Sequence, residues 1–116
     1  MPIALFCGSR KWTDRDLIGK DLIHLSLDTL VVHGGAPGAD TIADEIAHTL
    51  GLHTAVVVAL WDHYGRGAGP LRNQAMLTLM PDEVYAYPLN GSGTRGMIAL
   101  AVEAGIRVHV RGPTET

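Results

Sequence analysis

One cysteine, Cys7, stands among 116 residues, so an internal disulfide framework is excluded and a reducing, cytoplasmic setting is expected. Aromatic side chains are scarce too, with two Trp, three Tyr and one Phe. Few platforms exist on which successive bases could stack, which argues against single-stranded DNA binding. Basic charge is in deficit: nine Lys and Arg face twelve Asp and Glu, a net charge of −3. A broad nucleic-acid face is therefore not expected. No apolar run approaches the roughly 18 residues of a membrane span. The apolar opening Met1-Pro2-Ile3-Ala4-Leu5-Phe6 lacks a basic flank and soon enters a turn, so neither a signal peptide nor a membrane partner is expected. The six His and the lone Cys show no metal-ligand spacing, and no metal is expected.

What is present is apolar and regularly punctuated. Hydrophobic content of 47% against charged content of 18% reads as one folded domain over residues 1–116. Short apolar runs at 3–7, 29–33, 53–58 and 83–87 read as buried strands, and 106–110 alternates as an edge strand does. Helical patterns lie between them. The first is capped by Thr13 or Asp14 and turns Ile18, Leu22 and Leu25 inward; the second presents Ile42, Ile46 and Leu50 and stops at Gly51. The third starts at Pro70 with Leu71, Ala75 and Leu79 facing the core, and the fourth runs from about Thr94 through Ile98, Ala101 and Val102 to Gly105. Alternation of this kind predicts an α/β fold, a parallel five-stranded sheet with helices on both faces; the strand order expected for it is 3-2-1-4-5. The one long connection, Ala59 to Gly69, has the length of a functional loop.

The most informative stretch is His33-Gly34-Gly35-Ala36-Pro37-Gly38-Ala39-Asp40, where a strand runs through glycines into a helix. Glycine lets backbone amides approach an anion closely, and a helix N-terminus adds its dipole. Gly8-Ser9-Arg10 follows the first strand and Asn90-Gly91-Ser92-Gly93-Thr94 the fourth, in the same relation. In an open parallel sheet such turns meet at the carboxyl ends of the strands, beside the switch in strand order. Five of the cations (Arg10, Lys11, Arg66, Arg72 and Arg95) lie in or beside these turns and the long connection. Together they predict a pocket for a compact phosphorylated ligand. Its candidate contacts are Gly8, Ser9, Arg10, Gly34, Gly35, Ala36, Gly38, Asp40, Arg72, Asn73, Gly91, Ser92, Gly93 and Thr94. Trp61 and Tyr64 either stack on a base or cover the sheet edge. Asp40 either caps the second helix or touches the ligand, and His33 reads as a structural histidine more than a general base.

The set Gly8-Ser9-Arg10, Trp12, His33-Gly34-Gly35-Ala36, Gly38-Ala39-Asp40, Trp61, Tyr64-Gly65, Ala68-Gly69-Pro70, Arg72-Asn73, Met76, Gly91 and Gly93-Thr94 resembles the SLOG superfamily. Within it, the small YspA-like, YpsA-related branch is the nearest in pattern; the superfamily also holds DprA and the Lonely Guy phosphoribohydrolases. The resemblance implies a Rossmann-like three-layer sandwich and a pocket for nucleotides or nucleotide-derived ligands; no required cofactor and a homo-oligomer are expected beside it. Lonely Guy enzymes carry Pro-Gly-Gly-x-Gly-Thr-x-x-Glu, whose glutamate takes part in cleaving the N-glycosidic bond. Aligned on Gly93-Thr94, that position is Met97 here, while an Arg-x-x-x-Met element is kept as Arg72 to Met76. A thioether can neither move a proton nor stabilise an oxocarbenium-like centre. The expected function is therefore a sensing, sequestering or delivery module. The alternative is a hydrolase releasing a free base from a nucleoside 5′-monophosphate, with Asp40 as the fallback catalytic residue.

Overall fold

Alternate residues of the first strand part company: Ala4 and Phe6 enter one hydrophobic cluster, Leu5 and Cys7 the other. This period of two splits the core into layers on opposite faces of a single sheet. The structure is a computed structural model, and it describes residues 1–90 and 93–112. Its elements are β1 (Ile3–Gly8), α1 (Arg15–Leu22), β2 (Leu30–His33), α2 (Ala39–Thr49), β3 (His53–Val56), α3 (Trp61–Tyr64), α4 (Ala68–Thr78), β4 (Glu83–Tyr87), α5 (Gly93–Glu103) and β5 (Arg107–Val110). All neighbouring strands pair in parallel, in the order β3-β2-β1-β4-β5. Leu5 of the central strand lies between Val32 and Val84, so β1 is covered on every side. The order reverses between β1 and β4, which is where the carboxyl ends leave a crevice.

On one face α1 and α2 bring Ile18, Leu22, Ile42, Ala43 and Ala47 onto Ala4, Phe6, Val31, Tyr85 and Tyr87. Asp14 caps α1 by accepting from the Leu17 amide at 3.3 Å, and Gly51 at φ +80° ends α2, both as expected. Trp12 is buried in this layer, edge-on to Tyr87 with its indole N–H donating to the Asp14 carbonyl, so it belongs to the core. Asp21 ties α1 to the far end of the chain: it accepts from the Tyr87 hydroxyl (2.6 Å) and takes two bonds from the Arg111 guanidinium.

On the other face Met76 of α4 and Met97 and Ala101 of α5 pack on Leu5, Val32, Val84 and Ala86. Here two helix faces differ from expectation. Leu71 and Leu79 of α4 are exposed at 45% and 41%, and the inward row is Ala68, Arg72 and Met76. The apolar stripe Leu71, Ala75 and Leu79 misleads, because the opposite row packs Ala68 and Met76 inward and lets Arg72 reach an acceptor just past β2. Val102 of α5 likewise faces out, and Met97 with Ala101 makes the contact. The long connection is also not a loop: α3 and a 3₁₀ turn at Gly65–Gly67 run into α4, which starts at Ala68 rather than Pro70.

Candidate functional site

The turn after β1 and the turn after β2 touch backbone to backbone. Ser9 O accepts from the amides of Trp12 (3.2 Å) and Ala39 (3.1 Å), while Ser9 Oγ accepts from the Lys11 amide. Gly38, at φ +79°, lies so close that a Cβ there would strike the Ser9 carbonyl and the Arg10 backbone. A Cβ on Gly8 would sit 2.5 Å from that of Ala39 and 2.8 Å from Tyr87 O. These two glycines therefore serve the packing of one turn on another, and Gly38 stands behind the cleft instead of in it.

Between β2 and α2 the chain supplies its own anion. Asp40 lies in the first turn of α2, and its Oδ2 reaches back to accept from the amides of Gly34 (3.1 Å) and Ala36 (3.2 Å). The amide between them, Gly35 N–H, donates to His33 Nδ1 at 3.0 Å. With Nδ1 accepting, the His33 proton sits on Nε2 and is donated to Asp44 Oδ1 at 2.7 Å, which makes this buried histidine a structural brace. The amides of Gly34, Gly35 and Ala36, expected to cradle a phosphate, are all three engaged inside the chain. Asp40 does not cap its own helix either, because its carboxylate is turned to the preceding turn.

Asp40 is only 5% exposed. Burial pushes its carboxyl above the ordinary range, while the Ala36 amide, His33, Arg72 and the Gly34 amide pull in the opposite direction without prevailing. Oδ1 has no hydrogen-bond partner among the described residues. Close by, Arg72 of α4 donates from Nη1 to Gly34 O (2.9 Å) and from Nε to Asn73 Oδ1 (3.1 Å). A side chain at position 34 would occupy the place of this guanidinium, so Gly34 is needed for the Arg72 contact. The Cys7 thiol is held far above its usual range, by burial first and then by the charge of Asp40.

These groups edge a cleft of about 770 Å³ at the carboxyl ends of β1, β2 and β4. Of the expected contacts, Gly8, Ser9, Arg10, Ala36, Asp40, Arg72, Asn73, Gly93 and Thr94 line it. Gly34, Gly35 and Gly38 do not, and Gly91 and Ser92 lie outside the described residues. Trp61 stands at the rim with the Arg10 guanidinium 5.7 Å from its ring, whereas Tyr64 is exposed and packs edge-on to His63. Lys11 and Arg66 join Arg10 and Arg72, so four cationic side chains face two carboxylates, Asp40 and Glu103. Met97 forms part of the floor at 1% exposure, packed among Leu5, Met76 and Ala101. Glu103 and Leu100 were not legible as lining residues, since nothing in the residue pattern says which side of α5 looks toward α4.

Among the described residues no three His, Cys, Asp or Glu are placed to hold a metal ion, and no helix is long and apolar enough to cross a membrane. The fold is that of the DNA processing protein A (DprA) from Streptococcus pneumoniae, with a TM-score of 0.82 at 23% identity. The superposition takes in 99% of this chain and 51% of that one, so the chain spans about half of the DprA length. Gene 61 protein of Mycobacterium phage D29 is 40% identical over 119 residues, covering 90% of this chain and 92% of that protein. The model of the YAcAr family (YspA, cpYpsA-related SLOG family) matches residues 2–64, and with this glycine-threaded cleft at the strand ends the chain belongs to that family.

Proposed function

We propose that the cleft binds a nucleotide or nucleotide-derived phosphorylated ligand, and that the chain acts as a sensing, sequestering or delivery module for it. The observation that carries this reading is the charge of the lining in an acidic protein. Arg10, Lys11, Arg66 and Arg72 converge on one concavity, and of the two acids there Asp40 is already bound to backbone amides. Charge-assisted bonds from guanidinium groups favour a compact anion, and a cleft of about 770 Å³ has room for a nucleotide. Trp61 at the rim offers a flat surface for a base. Met97, buried in the apolar floor, leaves the start of α5 without the carboxylate that N-glycosidic cleavage uses in the Lonely Guy enzymes.

Native mass spectrometry of the purified protein, followed by calorimetry with the common nucleoside monophosphates, tests the proposal. A co-purified or titratable nucleotide is expected, with little or no free base released. A broad nucleotide screen with no binding removes the reading. One observation favours hydrolysis as a second reading: Asp40 is buried in the cleft with a raised carboxyl pKa, as general acids are. Rapid release of free base, lost in Asp40→Asn with binding retained, would establish that reading instead.

A further inference from the structure

The two oxygens of Asp40 are treated differently by the fold. Oδ2 takes both available amides of the glycine turn, at 3.1 and 3.2 Å. Oδ1, buried in a residue that lines the cleft, finds no donor among the described residues. The Arg72 guanidinium donates instead to Gly34 O and Asn73 Oδ1. A buried carboxylate oxygen left without a donor is costly, and native structures rarely tolerate one without a role. We infer that Asp40 Oδ1 accepts a hydrogen bond from a ribose hydroxyl of the bound ligand, and that the cleft thereby selects ribonucleotides over their deoxy counterparts.

Position separates the sugar from the other donors that a nucleotide carries. Among the described residues that line the cleft Trp61 is the one aromatic, and it stands half-exposed at the rim with Arg10. A base placed on it leaves the interior to the sugar. Asp40 shares that interior with Cys7, Met76 and Met97, which are buried and offer no strong donor or acceptor of their own. A hydroxyl needs one strong acceptor, which Oδ1 provides. Discrimination by a polar group is steep because the analogue lacking the hydroxyl leaves the buried oxygen unpaired.

The inference rests on the cleft being a nucleotide site, and the test keeps the two apart. Isothermal titration with each of the four nucleoside 5′-monophosphates and its 2′,3′-dideoxy analogue gives an affinity ratio for each base. The wild-type protein is expected to prefer the ribo form by about 10- to 100-fold, the usual worth of a hydrogen bond to a charged acceptor. In Asp40→Asn the side-chain carbonyl keeps the Gly34 and Ala36 amides, and the ratio is expected to fall below about fivefold. Taking the ratio within each protein cancels any general change in the turn. Tight binding of both forms with a ratio near one, or a ratio unchanged by Asp40→Asn, overturns the assignment while leaving the nucleotide reading in place. Absence of binding by any of the eight compounds overturns both.

Discussion

The Arg72 guanidinium donates to the carbonyl oxygen of Gly34 at 2.9 Å, joining α4 to the end of β2. The same side chain lines the cleft, so a simple truncation disturbs the turn and the proposed ligand site together. Arg72→Ala is expected to lower stability by about 1–3 kcal/mol, because a carbonyl loses its donor and Asp40 its nearest guanidinium. Nucleotide binding should weaken with it. Arg66→Ala, at an exposed residue that also lines the cleft, should weaken binding and leave Tm unchanged. Calorimetry paired with thermal melts checks both, and an Arg72→Ala protein with wild-type Tm would show that the Gly34 bond is dispensable.

Asp40 makes a pH-dependent prediction. Its carboxyl is raised in the folded protein, so between the unfolded and folded values the native state holds more protons. Stability contributed by this group is therefore fully present below the unfolded value and is lost as pH rises from there through the folded value. Asp40→Asn resembles the protonated form and should melt at or above the wild-type temperature near pH 8. The difference should shrink as the solution is made acidic. A variant that melts lower at every pH would mean that the carboxylate is a net stabiliser of the turn.

The glycines should divide by role. Gly35 is at φ +71° with a Cβ position 2.8 Å from Val56 Cγ1, and Gly38 is pinned against the Ser9 and Arg10 backbone. Gly38→Ala should cost about 2–4 kcal/mol, from left-handed strain together with the clash. Gly35→Val should also act through the fold, since its neighbourhood is packed and its amide is bound to His33. Gly93 has open space around its Cβ position and lines the cleft. Gly93→Val should leave stability close to wild type and reduce ligand affinity. Equal melting temperatures for the Gly38 and Gly93 variants would contradict this division.

Met97→Glu restores the carboxylate of the Lonely Guy motif in sequence but not in place. The position is 1% exposed among Leu5, Met76 and Ala101, so a charge there is expected to destabilise the protein by about 3 kcal/mol or more. Denaturant melts should report that loss, and chromatography of a nucleoside monophosphate digest should show no gain in free base. A stable variant that releases base would show that the helix can turn this residue to the ligand.

Local patterning was enough for much of the architecture. The alternation of strands and helices, the burial of both faces of β1, the Asp14 cap and the stop at Gly51 all follow from short-range rules that neighbouring residues obey. The place of the cleft followed as well, because glycine turns and a reversal of strand order coincide there. The roles of the glycines did not follow. Gly34 and Gly38 look alike in sequence, yet one makes room for a guanidinium and the other for a neighbouring backbone. The rotation of α4 was also beyond reach, since its apolar stripe Leu71 and Leu79 predicts the wrong face. The face turned inward carries the buried Ala68 and Met76 and the Arg72 bond to a carbonyl 38 residues away. Periodicity records which residues could be buried; long-range pairing of polar groups helps decide which of them are, and it is that pairing which brings Asp40 to the N–H and Arg72 to the carbonyl of the same glycine.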